Sequence, residues 1–320
     1  NMTPVPTRTL ADLQISPIGL GGNVFGWTAD DATSFEVLDS YLDAGGNIID
    51  TADGYSYWAP GNVGGESETV IGDWLASRPV RDRIVLATKV STKPDRPGLS
   101  AGNIRLALEE SLNRLRTNVI DIYYAHFDDA STPLEETVTA FEEARQSSRI
   151  RYVGLSNYTP ERIRQWFSIA DARGYARPIV LQPHYNLLHR DDVEGSGNRG
   201  QVAAELGMGL MPYFALAAGF LTGKYRRGDV IDGDRAGMVA DYRRPECYDV
   251  VDVVARVAEA HGVEPAAVAL AWLRDRPGVT APLASARNLT QLRPIVDAMS
   301  LELSDEETRA LTRVSDAARS

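Results

Sequence analysis

The sequence predicts an α/β protein, a (β/α)8 barrel in which residues 1–320 form a single domain. Short β-branched apolar runs alternate with amphipathic helical stretches along the whole chain. No proline- or serine-rich linker divides the sequence. Several apolar runs also end in an ionisable side chain, as expected where a barrel gathers polar groups at the C-terminal ends of its strands. A doubly wound sheet split into two domains is the alternative fold.

Each element of the predicted barrel rests on this local pattern. The predicted strands are residues 15–21, 47–51, 84–89, 119–126, 151–156, 178–182, 209–213 and 278–282. The helical stretches include residues 31–44, 66–76, 100–116, 134–146, 160–173, 250–261 and 289–298. Gly45 and Gly46 end the first of these helices, and Gly174 ends a later one. Residues 226–247 carry many charges and glycines and are predicted to form a surface loop.

Composition limits the classes of function. The net charge of −11 argues against general nucleic-acid binding, although a local phosphate pocket is compatible with it. Cys247 is the only cysteine, which excludes an internal disulfide and favours a cytoplasmic location. We find no signal peptide and no apolar run of membrane-spanning length, so no membrane partner is expected. The oligomeric state is left open.

Four residues near predicted strand ends suggest carbonyl chemistry. Asp50, Lys89 and His126 each end an apolar run, and Tyr55 follows the first run closely. A phenol is a weak acid near neutral pH, but a nearby ammonium lowers its pKa. A carboxylate would hold that ammonium, and a histidine would orient a carbonyl oxygen. The set suits protonation of a carbonyl oxygen while hydride arrives at carbon.

Each residue also has a structural interpretation. Asp50 would be a helix cap, Tyr55 a rim aromatic, Lys89 an ion-pair partner and His126 a packed barrel histidine. A barrel glycosidase with two carboxylates among Asp128, Asp129, Glu135 and Glu136 is a further alternative. Those acids follow a strand end or begin a helix, where the helix dipole favours them. The run GLGGNVFG lacks the third glycine of a dinucleotide-binding loop and is weak evidence for one.

The motifs NIIDTADGY, ATKV, YYAHFDD, YVGLSNY, LQPHYNLL and FLTGKY occur in this order. With them the chain resembles the aldo-keto reductase family over nearly its whole length, closest to the branch of potassium-channel β-subunits and their bacterial relatives. The resemblance implies a TIM-type barrel, NADP(H)-dependent reduction of a carbonyl, and no metal. It implies Tyr55 as general acid, Lys89 as the partner that lowers its pKa, Asp50 as the partner of Lys89, and His126 as the group that orients the carbonyl.

The resemblance also implies where a nicotinamide cofactor lies. Side chains with amide and hydroxyl groups match the positions that bind the carboxamide, namely Ser156, Asn157 and Gln182. Tyr213 matches the aromatic residue that stacks on the nicotinamide ring, and Gly22, Asn23 and Asp50 match positions close to the cofactor. Main-chain contacts to the pyrophosphate fall on residues 214–218, which include Phe214, Ala215 and Leu216. Lys224 is a further phosphate partner.

The adenosine end of the cofactor falls on a second segment, APLASARNLTQL. Ser285, Arg287 and Gln291 match positions near the adenosine 2′-phosphate. Because a guanidinium binds phosphate in a bidentate manner, Arg287 favours NADP over NAD. The chain departs from the family here, since Pro282-Leu283 and Arg293-Pro294 replace the usual Pro-Gly and Glu-Asn.

The substrate side of the site is predicted only in outline. Aromatic residues near strand ends are candidates for the pocket, namely Phe25, Trp27, Tyr57 and Trp58. They are compatible with a small-molecule aldehyde, ketone or keto-sugar, and equally with packing at the rim. The alternative function is a cofactor-binding regulatory subunit with little turnover, as in the channel β-subunits. The start of the chain close to its first predicted strand favours a metabolic enzyme.

Overall fold

Strands and helices alternate in the computed structural model, which describes residues 4–233 and 235–319. The strands are β1 (Arg8–Leu10), β2 (Leu13–Ile15), β3 (Gly19–Gly21), β4 (Ile48–Asp50), β5 (Val85–Val90), β6 (Thr92–Lys93), β7 (Arg96–Pro97), β8 (Ile120–Ala125), β9 (Ile150–Ser156), β10 (Val180–Gln182), β11 (Gly209–Leu210) and β12 (Leu283–Ala284). The helices are α1 (Asp31–Asp43), α2 (Glu66–Ser77), α3 (Ala101–Leu115), α4 (Leu134–Gln146), α5 (Pro160–Arg173), α6 (Arg199–Leu206), α7 (Arg235–Val239), α8 (Pro245–His261), α9 (Pro265–Arg274), α10 (Leu289–Ser300) and α11 (Asp305–Ala317).

Eight of these strands form one parallel sheet. Its order is β11-β10-β9-β8-β5-β4-β3-β12. The two ends meet where Leu210 bridges Val279, and the Leu210 amide donates to the Gly278 carbonyl at 3.0 Å. The Thr280 amide returns a hydrogen bond to the Leu210 carbonyl at 2.8 Å. The predicted (β/α)8 barrel is therefore confirmed.

A short hairpin closes the N-terminal end of the barrel. Strands β1 and β2 pair in an antiparallel manner, and Leu10, Leu13 and Ile15 reach the barrel interior. There they pack against residues from the beginnings of the barrel strands, including Ile48 and Val85. A larger apolar cluster lies between the sheet and the helices around it. Apolar side chains therefore fill the interior at this end of the barrel.

The helix boundaries follow ordinary capping chemistry. Ser100 accepts a hydrogen bond from the Asn103 amide at the start of α3, and Thr159 caps α5, where Pro160 occupies the first turn. Gly174 ends α5 in the left-handed conformation, with φ at 68°. Gly45, also with positive φ, follows the end of α1. The predicted helix ends at these glycines are confirmed. No helix among the described residues is long and apolar enough to cross a membrane.

Three predicted strands have different boundaries in the structure. The run 15–21 is divided, because β2 ends at Ile15 and β3 begins at Gly19 beyond Pro17, which lacks an amide donor. The run 209–213 is a strand only to Leu210. The run 278–282 contributes the bridge at Val279, but its paired strand is Leu283–Ala284. The barrel ladder tolerates these interruptions because neighbouring backbone groups complete the hydrogen bonds.

The prediction of a surface loop over residues 226–247 is wrong in part. This stretch contains α7 and a 3-10 turn at Ala240–Tyr242, and α8 already begins at Pro245. Val239, Tyr242 and Cys247 are buried in the hydrophobic core. The polar composition of the stretch outweighs these few apolar side chains in the sequence pattern. Proline is common in the first turn of a helix, and Pro245 therefore marks a start of α8 before residue 250.

Candidate active site

The ends of neighbouring parallel strands bring the candidate catalytic residues together. Asp50 is the last residue of β4, Lys89 lies at the end of β5, and His126 directly follows β8. Strand β5 pairs with β4 on one side and with β8 on the other. Their carboxyl ends therefore meet at one edge of the barrel, as parallel pairing requires. The structure thus places the three predicted residues beside one another.

Lys89 is the centre of this group and is fully buried. Its Nζ donates to Asp50 Oδ2 at 2.6 Å, to the Thr51 carbonyl at 2.8 Å and to Tyr55 Oη at 3.0 Å. An ammonium has three donors, and these contacts use all of them. Burial lowers the pKa of Lys89, but Asp50 and Tyr55 outweigh it and leave that pKa raised. Lys89 is therefore a fixed cation at the phenol.

Tyr55 keeps its proton near neutral pH. Burial raises the pKa of the Tyr55 hydroxyl, Lys89 lowers it, and the Asp50 carboxylate raises it again. The net direction is upward, so the lysine moderates the effect of burial without reversing it. The lysine effect has the sign that the sequence predicts, but burial has the larger effect on this pKa. A protonated phenol beside an ammonium is suited to donate a proton to an incoming oxygen anion.

His126 lies across from this phenol as a neutral imidazole. The two rings are 6.1 Å apart between centroids, at 75° to each other. Burial lowers the pKa of His126 well below its usual value, and the neighbouring Lys89 cation lowers it further. The ring Nδ1 lies 3.4 Å from the hydroxyl of Thr92. A neutral imidazole in this position has one N–H to donate to a carbonyl oxygen.

The segment that carries Tyr55 is held by its own backbone. The Asp53 amide donates to the Lys89 carbonyl at 3.1 Å, and the Tyr55 amide donates to the Ala52 carbonyl at 3.2 Å. Gly54 is required here, because a Cβ atom would lie 2.6 Å from the Thr92 hydroxyl. The phenol is therefore fixed against the lysine by several short-range contacts.

A second buried acid, which the sequence analysis did not identify, lies three residues beyond Asp50. Asp53 is fully buried, and neither of its carboxylate oxygens has a hydrogen-bond partner among the described residues. Burial raises its pKa well above the usual value, and the nearby Glu68 raises it further. Glu68 itself accepts hydrogen bonds from Thr88 and Arg114, each at 2.8 Å. Asp53 and Glu68 come together only in the folded chain, because the sequence places Asp53 in a loop and Glu68 in a helix.

The predicted carboxamide-binding residues form two connected networks. Gln182 Nε2 donates to Asp50 Oδ1 at 3.1 Å, and the Ser156 hydroxyl donates to the Gln182 carbonyl at 2.8 Å. Asn157 Nδ2 donates to the His126 carbonyl at 3.0 Å, and Asn157 Oδ1 accepts from the Tyr213 hydroxyl at 2.6 Å. The Gln182 side-chain nitrogen thus faces Asp50. The sequence did not predict this link to Asp50.

The segment after β11 carries several strained backbone positions. Phe214, Ala217 and Ala218 have φ values of 52°, 51° and 55°, in the left-handed region. Such conformations cost about 1–3 kcal/mol each for residues other than glycine and cluster at ligand-binding sites. They fall on the segment predicted to face a pyrophosphate, which also contains Ala215 and Leu216. This observation makes the backbone there compatible with an anionic ligand.

The residues assigned to the adenosine end are less closely connected. Ser285 donates a hydrogen bond to Asn23 Oδ1, because β12 pairs with β3 and brings the two segments together. The neighbouring Gly22 is buried, and its amide donates to the Asp50 carbonyl at 2.7 Å. Gln291 accepts from the Arg287 amide at 3.0 Å, and the Arg287 side chain is exposed. Lys224 is also exposed and lies over the Tyr225 ring.

An aromatic cluster forms one side of the mouth of the site. Trp58 contacts Trp27, Tyr57 and Tyr55 edge to face, at centroid distances of 5.5, 5.5 and 6.1 Å. Trp27, Tyr57 and Trp58 are 38%, 45% and 42% exposed. Phe25 is fully buried in the core and does not share the exposed surface of this cluster. Phe127, which the sequence analysis missed although it follows His126, is 47% exposed beside that ring.

The acids of the glycosidase alternative take part in contacts within the protein. Asp128 pairs with Arg162 at 2.6 Å, and Glu135 pairs with Arg173. Asp129 accepts from the Leu99 amide at 2.9 Å and from Thr132 at 2.7 Å. These contacts fix loops and helix ends, as charges at helix starts commonly do. They give no support to a pair of carboxylates facing a common ligand.

The barrel thus carries a phenol, an ammonium and a carboxylate at the C-terminal ends of neighbouring strands. Residues 17–316 match the Aldo/keto reductase family. The chain belongs to this family of oxidoreductases, whose members generally use nicotinamide cofactors and act on small carbonyl compounds.

Several characterised and uncharacterised proteins are similar to the chain over most of its length. It is 31% identical over 325 residues to Protein tas of Escherichia coli (strain K12), covering 92% of this chain and 93% of that protein. It is 33% identical over 312 residues to the uncharacterized oxidoreductase YrpG of Bacillus subtilis (strain 168), covering 94% and 93%. It is 31% identical over 328 residues to norsolorinic acid reductase B of Dothistroma septosporum, covering 94% and 78%.

Proposed function

We propose that this protein, acting as a single barrel domain, is an NADPH-dependent reductase of aldehydes or ketones, with Tyr55 as general acid. One observation carries the proposal. Tyr55 Oη lies 3.0 Å from a fully buried lysine ammonium, which is itself 2.6 Å from the Asp50 carboxylate. A phenol that is paired with a buried cation and retains its proton is a group prepared for proton transfer.

In the proposed reaction, Tyr55 donates its proton to the substrate oxygen. A bound nicotinamide would supply hydride to the carbonyl carbon. As negative charge develops on oxygen, the Lys89 ammonium stabilises the phenolate that forms. His126, as a neutral imidazole, donates a hydrogen bond that orients the carbonyl oxygen. Asp50 holds the Lys89 ammonium in place. In the reverse direction the phenolate accepts the proton of an alcohol.

The residues present fit a nicotinamide cofactor. We assign the carboxamide to Ser156, Asn157 and Gln182, and the stacking surface to the ring of Tyr213. The amide of Gln182 favours this role, because its nitrogen is engaged by Asp50 and its oxygen is left to accept. The left-handed segment from Phe214 to Ala218 would face the pyrophosphate, with Gly22, Asn23 and Lys224 nearby. Ser285, Arg287 and Gln291 would hold the adenosine 2′-phosphate.

The exposed aromatic side chains at the mouth support an aromatic or otherwise planar carbonyl substrate. Trp27, Tyr57, Trp58 and Phe127 present ring surface close to Tyr55 and His126. Ring faces and edges stabilise flat apolar ligands through burial and stacking. The name of the relative from Dothistroma septosporum describes a reductase, which agrees with the reductive direction.

Cofactor titration followed by turnover tests the proposal. Binding of NADPH and of NADH is measured from the quenching of tryptophan fluorescence, and NADPH oxidation is then followed with aryl aldehydes, alkyl aldehydes and keto-sugars. We expect tight NADPH binding and turnover that is highest with aryl aldehydes. Binding without turnover of any carbonyl would favour the regulatory-subunit function. Failure to bind either nucleotide would contradict the proposal.

The Arg287→Ala variant tests the choice of nucleotide. A hydrogen-bonded arginine–phosphate contact contributes about 1.5–3 kcal/mol, so NADPH affinity is expected to fall roughly tenfold or more while NADH affinity changes little. Arg309→Ala, which removes an exposed arginine on α11, is the matched control and should bind both nucleotides as the wild type does. Equal weakening of NADPH and NADH would show that the guanidinium does not contact a 2′-phosphate.

A further inference from the structure

Three aromatic rings stand in a column that begins at Tyr213. The imidazole of His184 stacks on Tyr213, with centroids 5.5 Å apart and 23° between the ring planes. His189 stacks on His184 at 3.6 Å and 8°. Beyond it, His189 Nε2 lies 2.8 Å from Asp192 Oδ2. At the other end, the Tyr213 hydroxyl donates to Asn157. Tyr213 is therefore fixed both at its hydroxyl and through its ring.

A tight turn brings the two imidazoles together. The Asn186 and His189 backbones exchange two hydrogen bonds of 3.1 Å each. The Asn186 side chain accepts from the Leu188 amide at 2.7 Å and donates to the Phe214 carbonyl at 2.8 Å. This amide thus ties the turn to the residue that follows Tyr213. The column is built by the local fold and does not depend on chance packing of long side chains.

The turn is anchored on the outside of the barrel by a buried arginine. Arg190, 5% exposed, pairs with Glu194 at 2.7 Å and with Asp316 of α11 at 2.8 Å. Glu194 also accepts from Tyr185 at 2.8 Å and pairs with Arg276 at 2.9 Å. His184 covers one face of the Tyr213 ring, and Tyr213 remains partly exposed.

The absence of positive charge on His184 suits binding of an oxidised nicotinamide, whose ring is positively charged. Burial and the neighbouring His189 lower the pKa of His184, against the opposing effect of Asp192, to about 4. His184 is therefore neutral at physiological pH and places no cation behind Tyr213. A protonated His184 behind Tyr213 would repel the positive ring of an oxidised nicotinamide.

The same side chains include the donor types of a metal site, since His184, His189 and Asp192 have ligand atoms within 4.8 Å of one another. The ring planes argue against that use. Lone pairs of imidazole nitrogens lie in the plane of the ring, and a metal requires them to converge on one point. Two rings stacked at 8° have lone pairs that run side by side, so the geometry favours ring-to-ring support.

From these contacts we infer that His184, supported by His189 and Asp192, is a positioning residue that holds Tyr213 flat against the nicotinamide ring. The inference depends on the proposed function, because it presumes that a nicotinamide occupies the free face of Tyr213. It assigns a binding role to residues in the loop after β10 that lie behind the cofactor and do not contact it.

The test compares ligands with and without a nicotinamide. Dissociation constants for NADPH and for adenosine 2′,5′-bisphosphate are measured by fluorescence or calorimetry for the wild type, His184→Ala and His184→Phe. An aromatic pair contributes about 0.5–1.5 kcal/mol, so His184→Ala should weaken NADPH roughly three- to tenfold. The bisphosphate, which has no nicotinamide, should bind unchanged. His184→Phe keeps a ring in place and should restore NADPH affinity to within about twofold.

A matched control removes a histidine–carboxylate pair elsewhere. His261 on α8 lies 2.9 Å from Glu307, so His261→Ala should bind both ligands as the wild type does. The inference is overturned if His184→Ala binds NADPH normally, or if it weakens both ligands equally. It is also overturned if Zn²⁺ binds the wild type and this binding is lost in both His184→Phe and His189→Phe. If the wild type binds neither NADPH nor NADH, the proposed function fails as well, which distinguishes the two failures.

Discussion

Two buried aspartates, three positions apart in the chain, have opposite surroundings. Asp50 accepts from Lys89 at 2.6 Å and from Gln182 at 3.1 Å, so both of its oxygens are engaged. Asp53 is equally buried, yet neither of its oxygens has a partner among the described residues. Burial raises the pKa of both carboxyls, but at Asp50 the lysine opposes it, whereas at Asp53 the neighbouring Glu68 adds to it.

The difference shows that one short segment holds two buried acids in different electrostatic surroundings. A buried carboxylate is retained only when a cation and hydrogen bonds replace water. Asp50 meets this condition and remains the ionised partner of Lys89. Asp53 has no hydrogen-bond partner among the described residues, and burial together with Glu68 outweighs the nearby Arg114 and Lys93 cations, which leaves its pKa well above the usual value. The proposed chemistry uses Asp50 and assigns no step to Asp53.

Of the substitutions that test this comparison, Asp50→Asn should have the largest effect on stability and activity. Asp50→Asn leaves the Lys89 ammonium buried without its carboxylate, which costs about 3–5 kcal/mol of unfolding free energy. Carbonyl reduction should fall sharply in the same variant, because Lys89 loses its position. Chemical denaturation and steady-state kinetics measure the two effects. A variant as stable and active as the wild type would mean that the ion pair does not hold the site.

Replacing Lys89 with methionine should change the pH dependence of the reaction. Because Lys89 lowers the pKa of Tyr55 against the effect of burial, its loss raises that pKa further. Alcohol oxidation needs the phenolate, so its rise with pH should move to higher pH in Lys89→Met, with a rate loss of about 10²-fold or more. Lys93→Met is the matched control, since Lys93 is also buried but pairs with Asp95. An unmoved profile in Lys89→Met would remove the lysine from the proton transfer.

Replacing Asp53 with asparagine should have the smallest effect at neutral pH. An acid whose pKa is raised by folding keeps its proton in the native state while the unfolded chain loses it, so stability falls as pH rises above about 4. Asp53→Asn removes that loss, and its stability relative to the wild type should improve between pH 4 and pH 8. Its unfolding free energy should stay within about 1 kcal/mol of the wild type at pH 7. A destabilisation as large as that of Asp50→Asn would show that Asp53 is ionised.

The sequence was sufficient to predict the barrel and the strand-end residues, because both follow from local patterns. Asp50, Lys89 and His126 end apolar runs, and parallel strands bring such ends to one face. The environment of Asp53, the Gln182–Asp50 hydrogen bond and the column behind Tyr213 depend on contacts between distant segments. The last paired strand begins at Leu283, beyond the predicted run, because an apolar run does not specify which residues pair with a neighbouring strand.

The most direct test of the central claim is a single-turnover experiment on Tyr55→Phe. The protein is saturated with NADPH, mixed with an aryl aldehyde at neutral pH, and the loss of reduced nicotinamide absorbance is followed. If Tyr55 is the proton donor, the variant should bind NADPH with wild-type affinity and reduce the aldehyde at least about 10²-fold more slowly. Oxidation of NADPH at the wild-type rate by Tyr55→Phe would contradict the account.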